Sequence, residues 1–145
     1  MFLKIMHYLE IIMRRNVRKH VVECVENNEL IRNFLTLVSN LREIFHISLV
    51  IVILLYLLNR CCGVKYVITT ELFTILGKIY SRSNITATIR RLKEKGILES
   101  RRTIVVFEDG FVRTAKVVYL REDVEKKIGN FITNVLKSIS YVKFC

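Results

Sequence analysis

Apolar positions change their period several times along the chain, and each change marks an element. Ile44 to Leu58 is an unbroken run without a charge. Thr69 to Gly77 then places Leu72, Ile75 and Leu76 on one helical face, with Thr69 as N-cap and Glu71 in the first turn. From Ser81 to Leu98, Ile85, Ile89 and Leu92 recur at i, i+4 and i+7 and predict a helix with one narrow apolar stripe. Ser81 suits its N-cap, Gly96 the left-handed position past its end, and Lys93 and Lys95 the negative end of its dipole. The period then shortens. Leu98 to Phe107 and Phe111 to Leu120 are rich in Val, Ile, Phe, Thr and Tyr, and Asp109-Gly110 between them is a strong two-residue hairpin signal. A two-residue turn would face Arg102 with Val117 and Val106 with Arg113.

Helical periodicity returns in the flanks. From Glu122 on, Val124, Ile128, Phe131, Ile132, Val135, Leu136, Ile139 and Val142 trace one face, behind Glu122, Asp123 and Glu125 in the first turn. Phe2, Ile5, Met6, Leu9 and Met13 open a helix expected to run to about Cys24. Leu30, Phe34, Leu37, Val38, Leu41 and Phe45 form another, after a break at Asn27-Asn28. These helices carry more apolar face than a small module can cover, so two copies are expected to pack through them as a homodimer. Folding back onto their own domain is the alternative.

The uncharged run raises the question of a membrane. As a helix it rises about 22 Å, against a hydrocarbon core of about 30 Å. Arg42 and Glu43 before it, and Asn59 and Arg60 after it, prevent extension. It fits better as a fully buried helix, with His46 as a core residue. Lys4, His7 and Glu10 occupy the place of a secretory apolar core. A cytoplasmic protein without membrane contact is expected, in the host cytoplasm if viral, and a small membrane-associated protein is the lesser reading.

Charge sharpens the picture. Of the net +11, residues 81–121 hold ten Lys/Arg against four Asp/Glu, over half the excess. A localised excess of this kind is an electrostatic footprint for nucleic acid. Chemistry for an enzyme is lacking: His7, His20 and His46 are scattered and the five glycines are isolated. Cys24, Cys61, Cys62 and Cys145 have neither CxxC spacing nor a histidine partner, so no metal or cofactor is expected. They read first as buried, inert thiols, with redox sensing and structural disulfides as alternatives. The absence of Pro, Gln and Trp with many Ile, Lys and Arg points to an archaeal or archaeal-virus origin.

Helix, turn, basic helix and β-ribbon, in that order, resemble a winged helix-turn-helix. The run Ser81-Arg-Ser-Asn-Ile-Thr, continued by Ile89-Arg-Arg-Leu-Lys-Glu-Lys-Gly-Ile-Leu98, resembles the recognition helix of archaeal and bacterial winged-helix regulators. The resemblance covers about Ile47 to Leu120, and the flanking helices make it most similar to the multiple-antibiotic-resistance regulator (MarR) type. It implies a mainly α fold with a small β-hairpin wing, as one domain: N-terminal dimerisation helices over 1–46, a DNA-binding module over 47–121 and a C-terminal dimerisation helix over 122–145. It implies that Arg82, Ser83, Asn84, Thr86, Ala87, Arg90 and Arg91 face the major groove, and that Arg101, Arg102 and Arg113, joined by Lys116, form the wing. Thr69 and Thr70 would meet backbone phosphate through free N–H groups. The function implied is sequence-specific binding of double-stranded DNA by a homodimeric transcriptional regulator; the resemblance also allows a small-molecule effector, which the sequence does not identify. A protein-interaction or architectural module in a replication or transcription assembly is the alternative. The sequence departs from the pattern at Lys78-Ile79-Tyr80, where one apolar residue is usual. Either the turn is longer or the preceding helix overruns Gly77.

Overall fold

A helix that is apolar all round must be covered all round, and this requirement organises the chain. The computed structural model describes residues 18–106, 110 and 112–139, with side chains over 21–106 and 112–134. The elements are α1 (Arg18–Asn27), α2 (Glu29–Asn40), α3 (Ile47–Cys62), β1 (Val67–Ile68), α4 (Thr69–Leu76), α5 (Arg82–Glu94), β2 (Leu98–Val106), β3 (Val112–Leu120) and α6 (Glu122–Ile139). The described chain is thus mainly helical, with a small antiparallel sheet in the order β1-β3-β2.

The apolar run forms α3, which starts three residues later than expected. His46 is an exposed N-cap rather than a core residue, its Nδ1 accepting from the Ser48 N–H at 3.2 Å. Ile44 is 76% exposed and Leu49 40%, so the run is not buried along its whole length. From Val50 to Leu58 all residues but half-buried Val52 are buried. Val21 and Val25 of α1, Ile31, Phe34 and Val38 of α2, Leu72 of α4, Ile85 and Ile89 of α5, and Ile132 of α6 join α3 in one core. Truncating such a side chain, Leu54→Ala for example, costs about 2–5 kcal/mol. No helix among the described residues is long and apolar enough to cross a membrane.

The flanking helices bury apolar surface within their own chain. Asn28 caps α2 by accepting from the Ile31 N–H at 3.0 Å, which explains the Asn27-Asn28 break. Gly129 lets α6 approach α3: a Cβ there would lie 3.3 Å from the Tyr56 hydroxyl. Phe131 on the same helix stays 61% exposed. Phe2 to Met13 and Val142, also assigned to these faces, lie outside the described residues, as do the side chains of Val135, Leu136 and Ile139. Cys24 of α1 is disulfide-bonded to Cys62 at the end of α3, and Cys61 is disulfide-bonded as well. The expectation of inert thiols is therefore corrected at all three positions; Cys145 lies outside the described residues.

Two local geometries differ from the sequence reading. The first is the turn before α5. α4 stops at Leu76, so the connection is long rather than the helix overrunning. Ile79 and Tyr80 both donate their N–H to the Leu76 carbonyl, at 3.0 and 2.9 Å, and Arg42 Nη1 donates to the Ile79 carbonyl at 3.3 Å. The second is the ribbon register. Pairing runs from Leu98↔Leu120 to Val106↔Val112. It is symmetric about position 109, so the connection has an odd number of residues and the two-residue turn is excluded. Gly110 at φ 84° supplies the left-handed residue that such loops use; Asp109 lies outside the described residues. Arg102 consequently faces Lys116 rather than Val117, and Val106 faces Val112 rather than Arg113.

Candidate nucleic-acid interface

α5 begins where the sequence places it. Ser81 accepts from the Asn84 N–H at 3.2 Å, and at the far end Gly96 adopts φ 74°. Ile85, Ile89 and Leu92 are buried, joined by Thr88, whose hydroxyl donates to the Asn84 carbonyl at 2.7 Å. The opposite face carries Arg82, Ser83, Asn84, Thr86, Arg90 and Arg91, all exposed, and half-buried Ala87. Its only acid is Glu94, in the last turn.

The three arginines are held differently. The Arg82 guanidinium lies 4.5 Å from the centre of the Phe73 ring, so it is stacked against α4. Arg91 Nη2 donates to Thr88 Oγ1 at 3.2 Å, which ties it to its own helix. Arg90 makes no side-chain hydrogen bond, ion pair or aromatic contact among the described residues.

The wing residues divide between the two faces of the ribbon, because successive side chains in a strand point to opposite sides. Arg101 and Arg113 share a face with Glu99, Val117 and Tyr119. There Arg101 is half-buried, its guanidinium 4.8 Å from the Tyr66 ring and 5.6 Å from the Tyr119 ring, so it does not project freely as expected. Tyr66 and Tyr119 meet edge to face at 4.9 Å. Burial, and then a hydrogen bond and charge repulsion from Glu99, push the Tyr119 hydroxyl pKa up. Below them Ile68, Val105 and Val117 form a small second apolar cluster. Arg102 and Lys116 are both exposed on the other face.

Thr69 is the first residue of α4 rather than its cap. The cap is Ile68, whose N–H donates to buried Glu71 Oε1 at 2.9 Å. The Thr69 hydroxyl donates to the Lys116 carbonyl at 3.0 Å, pinning β3 to the start of α4, while Thr70 remains exposed.

Sequence reasoning assigned Lys93 only to the helix dipole. It is half-buried in the last turn of α5. Burial, and then the Lys116 ammonium, hold its pKa below the usual lysine value. No group of three or more His, Cys, Asp or Glu among the described residues could hold a metal ion. No protein-family model matches the chain, and no curated protein matches it.

Proposed function

We propose that the chain is a winged helix-turn-helix protein that binds double-stranded DNA in a sequence-specific way, as a homodimeric transcriptional regulator. The observation that carries this reading is the exposed face of α5: six small polar residues and arginines, with one acid at its far end. Small side chains let a helix approach base edges, and arginine can engage guanine with two hydrogen bonds. The order of α3, β1, α4, α5, β2 and β3, and the sheet order β1-β3-β2, agree with a winged helix. α5 would enter the major groove, and the ribbon would lie against the adjoining backbone.

Dimerisation would bring two copies of α5 onto a pseudo-palindrome. Leu41, Ile44, Leu49 and Phe131 are the large apolar residues of the described helices and their connection that remain exposed for such a contact. Arg90 is the residue to remove first, because no other side chain among the described residues engages it. Arg90→Ala should weaken binding to the selected site by about 1–3 kcal/mol if the arginine reads a guanine. Unchanged affinity, with circular dichroism of the wild type, would contradict the reading.

A further inference from the structure

The two faces of α5 follow the same spacing. Ile85, Ile89 and Leu92 turn to the core at i, i+4 and i+7. Ser83, Ala87 and Arg90 repeat that spacing two residues earlier, about 200° round the helix, and so form the line opposite the core. Glu94, an exposed acid, ends that line. Arg82 and Arg91 stand one residue beyond Ser83 and Arg90, which puts them on its two flanks. The groups on this face differ in what they have left to offer. The Ser83 hydroxyl lies 3.3 Å from the Ser81 hydroxyl. Thr86, beside Ala87, donates its hydroxyl hydrogen to the Arg82 carbonyl at 2.9 Å. It has none left for the acceptors of a purine, whereas its methyl group is uncommitted. Arg82 lies over Phe73 and Arg91 is tied to Thr88, while the Arg90 fork has no such contact among the described residues.

We propose that α5 reads a guanine with Arg90 and, within about two base pairs of it, a thymine with the methyl groups of Thr86 and Ala87. This rests on the duplex-binding reading and deepens it by naming the bases. A side chain on the line opposite the core faces the groove floor, where guanine offers O6 and N7 to an arginine fork. The flanks face the phosphate walls, which suits Arg82 and Arg91 to backbone contacts. Of the four bases, thymine presents a methyl group in the major groove, and Thr and Ala methyls pack against it. Ala87 and Thr86 precede Arg90 by three and four residues, about 4.5–6 Å along the helix. Base pairs are about 3.4 Å apart, so the thymine falls one or two steps from the guanine.

Chemically altered duplexes test the assignment, with the full chain and the site selected from random duplexes as the parent probe. Affinity is measured by fluorescence anisotropy at fixed salt, and circular dichroism and melting check each variant. Replacing the enriched guanine by 7-deazaguanine, which lacks N7, should weaken wild-type binding about fivefold or more. Uracil in place of the neighbouring thymine removes only the methyl group and should weaken binding about fourfold. Thr86→Val keeps the methyl and should keep the uracil effect. Thr86→Ser combined with Ala87→Gly should abolish it, and Arg90→Ala should abolish the 7-deazaguanine effect. A selected site without a guanine and a thymine so spaced would overturn the base assignment, as would unchanged affinity on either altered duplex. A uracil effect that survives the double variant, or that Thr86→Val removes, would also overturn it, because the methyl groups would then not be the readers. Each of these results leaves duplex binding standing. Wild-type protein that shows no salt-sensitive duplex binding would overturn both readings together.

Discussion

Arg101 and Arg102 are adjacent in sequence and have opposite surroundings. Arg101 lies beside two tyrosine rings on one face of the ribbon, half-buried and with no hydrogen-bond partner for its Nε among the described residues. Arg102 stands exposed on the other face, opposite a lysine and without a carboxylate partner among the described residues. Strand alternation alone separates them. In basic protein surfaces the count of arginines therefore says less than which neighbours each already has. A cation engaged by its own fold contributes to stability, whereas one facing only other cations is available to a partner.

The comparison can be broken most severely from outside the ribbon. Cys24→Ser removes a cross-link between residues 38 apart, and loop-closure entropy puts the loss at about 4 kcal/mol. Chemical denaturation should show that loss, while duplex affinity below the melting transition stays close to wild type; a parallel collapse of affinity would mean that rigidity, not free charge, governs binding. Arg101→Ala comes next. Loss of stacking on both rings should cost about 1–2 kcal/mol of stability, read from the midpoint in urea, with a smaller effect on DNA than Arg102→Ala. Arg102→Ala should reverse the order: stability within about 0.5 kcal/mol of wild type, as for surface sites, and weaker binding on every duplex. The last variant, Lys116→Glu, acts in the opposite direction. It turns a like-charge cross-strand pair into an opposite one, so melting should rise by the equivalent of roughly 0.2–1 kcal/mol while duplex binding drops sharply. A melting temperature that falls would show that Arg102 and Lys116 do not repel as described.

Much of α5 is legible in the sequence, because its ends are written locally. Ser81 caps it and Gly96 takes the left-handed position, and the apolar stripe needs only Thr88 added. The ribbon strands are legible for the same reason, but their register is not. Asp109-Gly110 invites a two-residue turn, whereas the observed pairing needs an odd loop, and the one-residue difference moves Arg102 from facing Val117 to facing Lys116. That single shift hides the Arg102–Lys116 pair from the sequence reading. β1, two residues long, leaves no periodic signal, so the edge-to-face contact of Tyr66 with Tyr119 and its contact with Arg101 are invisible too. The sequence places His46 in the core because the uncharged run surrounds it. A side chain that accepts from the helix's first turn is worth more at the N-cap than in the core. Cysteine pairing depends on which helices meet, and spacing does not encode that.

Selection of bound fragments from random duplex DNA by the full chain tests the central claim most directly. The account predicts retention that weakens steeply with salt and enrichment of an inverted repeat, with half-sites about one helical turn, roughly 34 Å, apart. Absence of salt-sensitive retention, or retention without any enriched sequence, would contradict a dimeric protein that reads DNA through α5.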